Sequence, residues 1–314
     1  VHHPLAPPPP ADPDLEEAVR ELPLVRWAGA DAHVADDAVA REEPLEIRIG
    51  PAPVAVVMRT PGHDRELALG FLVTEGVVGS AAEVASIRHC SLAPAPVAAG
   101  VDAGAEGAGG GGADAGAETD ADRSDDAADN VVRAGLAPGV EVDLEALRRN
   151  LYASSSCGIC GKASIEAALA TAPPLADRAR LSAELLYALP DRLRAAQAAF
   201  QRTGGLHAAG LFAADGRLRV LREDVGRHNA VDKVVGWAAG HGLLPLADHV
   251  LLVSGRVSFE IVQKALAARI PAVVGISAPS SLAVDLAERA GLVVVGFLRG
   301  RGLNVYAGGE RVGA

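Results

Sequence analysis

Cysteine is scarce in this chain: three residues in 314, at Cys90, Cys157 and Cys160. An odd, small number in a chain of this length is no disulfide framework, and a reducing, cytoplasmic setting is expected. No apolar run approaches the ~20 residues that span a bilayer, and no basic start followed by an apolar core marks a secretory leader. A soluble protein with no membrane partner follows. Basic charge is also short, with 29 Lys and Arg against 40 Asp and Glu and a net charge of −11, so no nucleic-acid partner is expected. Aromatic residues make up only 3% of the chain, and Met58 is its one methionine.

The acidity is unevenly placed. From Pro94 to Asn130 nine acidic residues stand against the lone Arg123. This Ala-, Gly- and Asp-rich stretch holds almost no large apolar side chain, so burial cannot offset the entropy of ordering it, and residues 94–130 are expected to be a disordered insertion. The first 23 residues, with Pro7 to Pro10 in a row, read as an extended tail. Between them lies an N-terminal α+β domain, 24–152. Its signals are two strands over Leu45 to Arg59 joined at Gly50-Pro51, a helix over His63 to Gly76 with Leu67, Phe71 and Leu72 on its apolar face, and short strands at Ser86 to Leu92 and Gly139 to Val142. A further helix is expected over Leu144 to Tyr152.

The remainder, 153–314, changes character. A helix over Ala183 to Phe200 precedes a hairpin around Asp215-Gly216 and a helix running through Trp237. Three short apolar strands then alternate with helices, at His249 to Val253, Ala272 to Ile276 and Leu292 to Phe297, which implies a largely parallel sheet and an α/β class. In such a sheet the loops leaving the strand C-termini open on one edge, where α/β proteins bind ligands. Those loops carry Ser254, Gly255 and Arg256; Ser277 and Ser280; and Leu298, Arg299, Gly300, Arg301 and Gly302. Hydroxyls at helix starts and three arginines suit a phosphate-bearing small molecule, although serine caps and surface arginines also occur without any ligand. The polar run Arg222 to Asn229, continued by Asp232 and Lys233, reads as a hydrogen-bonded network beside that edge. His207, within an apolar strand, reads as a core histidine.

The run SSSCGICGK, Ser154 to Lys162, carries the sulfur chemistry. Cys157 and Cys160 stand ahead of a helix-forming segment, where unpaired backbone N–H groups, the helix dipole and Lys162 favour a thiolate. Half a zinc site is a rival reading that His89 and Cys90 could complete, yet no second CxxC or HxxxH supplies the remaining ligands, and no permanently bound metal is expected. Simple disulfide exchange and two buried structural thiols are weaker rivals.

Taken in order, MRTPGHDRELALGFLVTEG, SSSCGICGK, TGGLHAAGLF, REDVGRHNAVDKV, LLVSGRVSFEIVQKA, ISAPSSLAVDLAERAG and FLRGRGLNVYAG resemble the formate dehydrogenase accessory sulfurtransferases, the FdhD/NarQ family, over Glu43 to Gly308. The resemblance implies a cytidine-deaminase-like fold for the C-terminal part and a homodimer. It also implies that the protein takes persulfide sulfur from a cysteine desulfurase and passes it to the molybdenum bis(guanine dinucleotide) cofactor for formate dehydrogenase. Cys157 would be the carrier and Cys160 an auxiliary thiol. The family's cofactor segment falls on Phe297 to Gly302. Two alternatives come from other classes. A zinc-dependent deaminase would need an HxE segment, which is missing, and a proline where Ser156 stands; a non-catalytic cofactor chaperone would need the loops and no reactive thiol.

Overall fold

The computed structural model describes residues 14–89, 130–144, 147, 165–176 and 180–313. The acidic insertion, most of the Leu144 to Tyr152 segment and the whole CxxC run therefore lie outside the described residues, as does Cys90.

The central layer is a mixed six-stranded sheet. Its strands are β8 (His207–Ala213), β9 (Leu218–Asp224), β10 (His249–Val253), β11 (Ala272–Gly275), β12 (Val293–Arg299) and β13 (Gly302–Ala307), in the order β13-β12-β11-β10-β8-β9. Only β10, β11 and β12 are mutually parallel; β8, β9 and β13 join antiparallel. Strands β10, β11 and the first half of β12 read as apolar runs because both faces are covered. Leu211, Leu251, Val273 and Val294 face one core, and Phe212, Leu252, Val274 and Val295 the other. The second face is closed by the helix α3 (Ala183–Ala196), which follows the two-residue strand β7 (Leu181–Ser182) and buries Leu186, Leu189 and Leu193. That helix is shorter than expected, stopping at Gln197 before a separate α4 (Ala198–Thr203).

The first face carries α5 (Arg227–Gly240), α6 (Phe259–Ala267) and α7 (Ser281–Ala290). Over these sits the N-terminal module. Its sheet has the order β4-β3-β6-β5, with β3 (Glu43–Ile49), β4 (Ala52–Arg59), β5 (Val84–His89) and β6 (Val131–Leu136). Strand β3 turns Leu45, Ile47 and Ile49 inward at period two. Between this sheet and α5 runs α1 (Asp64–Thr74). It is buried from Leu67 to Thr74 rather than along one stripe, because it is packed from two sides. Gly70 and Gly236 make that crossing close: a Cβ on either would sit 1.8 Å from a backbone oxygen of the facing helix. The two parts of the chain thus share one continuous core.

Two details depart from the sequence reading. The expected tail over 1–23 is shorter, since β1 (Val19–Ala28) pairs along its length with β2 (Asp31–Ala40) in a separate two-stranded arm. Asp14 is also held, through its carboxylate, by the backbone N–H of His63. The strand expected at Gly139 to Val142 lies earlier, at β6, which pairs parallel with β3; the Ala137–Pro138–Gly139 region turns instead. The helix-forming segment after the CxxC run is helical as expected, a short α2 (Ile165–Thr171) that packs Ala168 into the core. Among the described residues no helix is long and apolar enough to cross a membrane.

Candidate functional site

Because β10, β11 and β12 are parallel, their following loops meet at one edge, and backbone hydrogen bonds tie them in a row. Val257 N donates to Ala278 O at 3.1 Å, Ser280 N to Val257 O at 2.9 Å, and Phe297 N to Ser277 O at 3.1 Å. Ser254, Gly255, Arg256, Ser277, Ser280 and the Phe297–Gly302 turn are therefore neighbours, as the topology requires.

Their side chains differ in what they offer. Ser254 Oγ accepts from Ala208 N at 2.9 Å, and Ser280 Oγ caps α7 by accepting from Ala283 N at 3.4 Å, so both hydroxyls already serve the backbone. Leu298 is fully buried in the core beneath α3 and presents only main chain. Arg301 turns outward to the Glu184 carboxylate and lies over the Tyr187 ring, 5.3 Å from its centroid. Arg256 is exposed, and Arg299 Nε donates to Ile276 O at 3.4 Å. Phe297 is 42% exposed and holds φ at 52°, an uncommon conformation for a bulky residue, within an irregular stretch of the β12 ladder. The Gly296 backbone before it passes so near Pro279 that a Cβ there would lie 2.9 Å from the ring.

The same edge continues past β10. Strand β8 begins at His207 and β9 ends at Asp224 on this edge, since β8 runs antiparallel to β10 and β9 antiparallel to β8. The polar run expected beside the site is here a closed buried network. Asp224 is fully buried; it bonds Lys233 Nζ at 2.8 Å and accepts from Gly226 N at 2.8 Å and Asn229 Nδ2 at 2.9 Å. Lys233 also donates to Thr60 O at 2.8 Å, and Asn229 to Met58 O at 2.7 Å, which locks the N-terminal module onto this turn. Asp232, next along α5, joins a second buried cluster with Lys264 (2.9 Å) and Thr74 (2.7 Å). Burial raises the Asp232 carboxyl against the opposing pull of Lys264, and its carboxylate partners raise the Lys264 ammonium despite burial.

Sequence reasoning misread His207 at the edge and had His228 only as part of the polar run beside it. His207 does not sit in the core: it stands against Gly255, and burial, with the nearby Arg227 and His228 charges, holds its imidazole below the ordinary value. His228 Nε2 lies 2.8 Å from Glu260 Oε2 and 3.2 Å from Ser258 Oγ, and that contact holds Glu260 below the usual carboxylate range. The available signal was topological, because a strand antiparallel to β10 must start where β10 ends.

A cavity of about 710 Å³ lies by the Thr60–His63 turn, lined by Arg41, Glu43, Arg59, His63 and Asp64 among others. Its buried guanidinium is already matched, Arg59 bonding Asp64 at 2.8 Å and Glu43 at 3.1 Å.

Comparison with known proteins identifies the family of the chain. A chain from Streptomyces avermitilis named sulfur carrier protein FdhD is 52% identical over 88% of this chain and 89% of its own length. One of the same name from Mycobacterium tuberculosis is 46% identical over 92% and 96%. A crystal structure from Desulfotalea psychrophila, described as a formate dehydrogenase accessory protein, superposes with a TM-score of 0.67 at 22% identity, covering 94% of this chain and 99% of the other. The model of the FdhD/NarQ family matches residues 40–313, and the chain belongs to that family.

Proposed function

We propose that this protein is a sulfur carrier that accepts persulfide sulfur from a cysteine desulfurase and delivers it to the molybdenum bis(guanine dinucleotide) cofactor destined for formate dehydrogenase. The observation carrying this reading is the family match over nearly the whole chain, with both cysteines of the CxxC run inside it. The reading includes a cytoplasmic homodimer whose C-terminal part is cytidine-deaminase-like.

In the loading step the Cys157 thiolate attacks the terminal sulfur of the donor's persulfide. One S–S bond forms as another breaks, the donor cysteine leaves as thiolate, and no net oxidation occurs. Cys160 can then attack the Cys157 sulfur, closing a disulfide and releasing the carried sulfur as hydrosulfide, or it can receive the sulfane sulfur itself. The cofactor is cargo here, and the sheet edge is its dock. Arg256 and Arg299 supply charge for its phosphates, the N-termini of α6 and α7 supply N–H donors, and the exposed Phe297 ring offers a face for a base.

Two experiments test the reading. Cys157→Ala should abolish activation of formate dehydrogenase with the fold intact, Cys160→Ala should weaken it less, and Cys90→Ala should change little. Full activation by Cys157→Ala would leave only a cofactor chaperone. GDP should bind more tightly than ADP and more weakly as salt rises, and a joint Arg256→Ala, Arg299→Ala variant should lose that binding while still accepting sulfur.

A further inference from the structure

We propose that Arg227, flanked by His207 and His228, forms a subsite for a phosphate or diphosphate group at the β10 end of the sheet edge. The inference rests on the reading of that edge as a nucleotide dock and adds three residues outside the loops that defined it.

Placement comes first. Arg227 opens α5 two residues after Val225, at the turn that Asp224 pins through Gly226 and Asn229. The Asp224–Lys233–Thr60 network holds this turn from behind, so the Arg227 side chain projects from a fixed base. Gly255 marks how near the loop after β10 approaches: a Cβ there would lie 3.3 Å from His207 Nδ1 and 3.6 Å from Arg227 Cδ. The two side chains thus wall the Gly255–Arg256 turn.

Charge comes next. Arg227 Nε is buried and has no hydrogen-bond partner among the described residues. A guanidinium N–H removed from water without an acceptor is expensive, and most buried donors in proteins are satisfied. The nearby carboxylates are already engaged. Asp224 bonds Lys233, Gly226 and Asn229, and Glu260 is taken by His228. That pairing also orients His228. With Nε2 donating to Glu260, Nδ1 is left for another partner, as an acceptor when neutral and a donor when protonated.

Two imidazoles and an unsatisfied guanidinium beside a loop that already carries Arg256 suit an oxyanion with several acceptor oxygens and more than one negative charge. Arginine matches that geometry with its planar fork. A carboxylate ligand would match one face of Arg227 and leave the histidines unused, so phosphate is the better fit. Asp224 is the carboxylate that faces His207 along with the Arg227 and His228 cations, and a bound dianion would reverse the balance of that field.

The test is calorimetry on the full chain with inorganic diphosphate, GDP and ADP at fixed ionic strength. Wild type should bind diphosphate. Arg227→Gln should weaken both diphosphate and GDP by about tenfold or more, with an unfolding midpoint no lower than that of wild type. Gly255→Ala, which fills the gap between His207 and Arg227 from the other side, should weaken diphosphate as well and serves if Arg227→Gln misfolds. Absence of diphosphate binding in wild type, or undiminished binding in both variants, overturns the subsite. Loss of GDP binding in the Arg256, Arg299 double variant but not in Arg227→Gln also overturns it and leaves the dock standing. Diphosphate binding that depends on Arg227, with no preference for GDP over ADP, supports the subsite and removes the guanine dock.

Discussion

Two regions of this molecule place charged side chains on α5 and treat them in opposite ways. At the seam between the N-terminal module and the central sheet, Asp232, Lys264, Thr74 and Glu75 form a cluster in which the buried charges are matched. At the sheet edge, only five residues earlier on the same helix, Arg227 keeps a buried donor, Nε, with no partner among the described residues. Position on the helix does not explain the contrast, since both sites start from α5 and both bury a polar atom. What differs is the facing element. The seam meets α1 and α6, which bring their own polar groups, whereas the edge meets loops whose polar groups are turned toward the backbone. A matched buried charge serves the fold; an unmatched one marks a place for something that arrives from outside.

If the seam is structural, damage to it should be the most costly. Gly70→Ala and Gly236→Ala each place a Cβ 1.8 Å from a backbone oxygen, so the helices must separate. A loss of about 3 kcal/mol or more is expected in denaturant unfolding. Lys264→Met strands the Asp232 carboxylate and should cost about 3–5 kcal/mol, while replacing Asp232 by Leu as well should recover much of it. Recovery in the double variant would separate a charge effect from simple misfit.

The edge should respond to pH more than to truncation. The His207 imidazole is held below its ordinary value, chiefly by burial. As pH falls below about 6.5 the unfolded chain takes up a proton that the folded chain still refuses. Stability should therefore decline through that window until the folded imidazole also titrates, and His207→Gln should flatten this part of the profile. An unchanged profile would mean that His207 is free of the field assigned to it. The smallest effect belongs to the exposed pair Arg301–Glu184: Glu184→Ala should leave the unfolding midpoint unmoved, as surface ion pairs generally do.

The sequence made much of this architecture legible. The apolar runs HVLLV and AVVG, the Asp215-Gly216 hairpin and the serine-bearing loops sit where periodicity and turn chemistry place them, because burial on both faces leaves little choice of residue. The β1–β2 arm escaped notice for the opposite reason. Val25, Trp27 and Val34 are 58%, 69% and 77% exposed, so no inward face imposes alternation on VRELPLVRWA or DAHVADDAVA. Strand β6 was misplaced because its parallel pairing with β3 is non-local and leaves no mark in its own residues. The loops of the proposed dock were readable one by one, whereas His207 and Arg227 became candidate site residues only once the antiparallel strand β8 and the Asp224 turn brought them beside Gly255.

The central claim, that the chain carries sulfur on its CxxC run, is tested most directly by mass spectrometry of the peptide holding Cys157 and Cys160 after incubation with a cysteine desulfurase and free cysteine. The account predicts a gain of one sulfur atom, located on Cys157, sensitive to reductant, and missing from Cys157→Ala. A wild-type peptide of unchanged mass, or added sulfur that persists in Cys157→Ala at undiminished level, would contradict it.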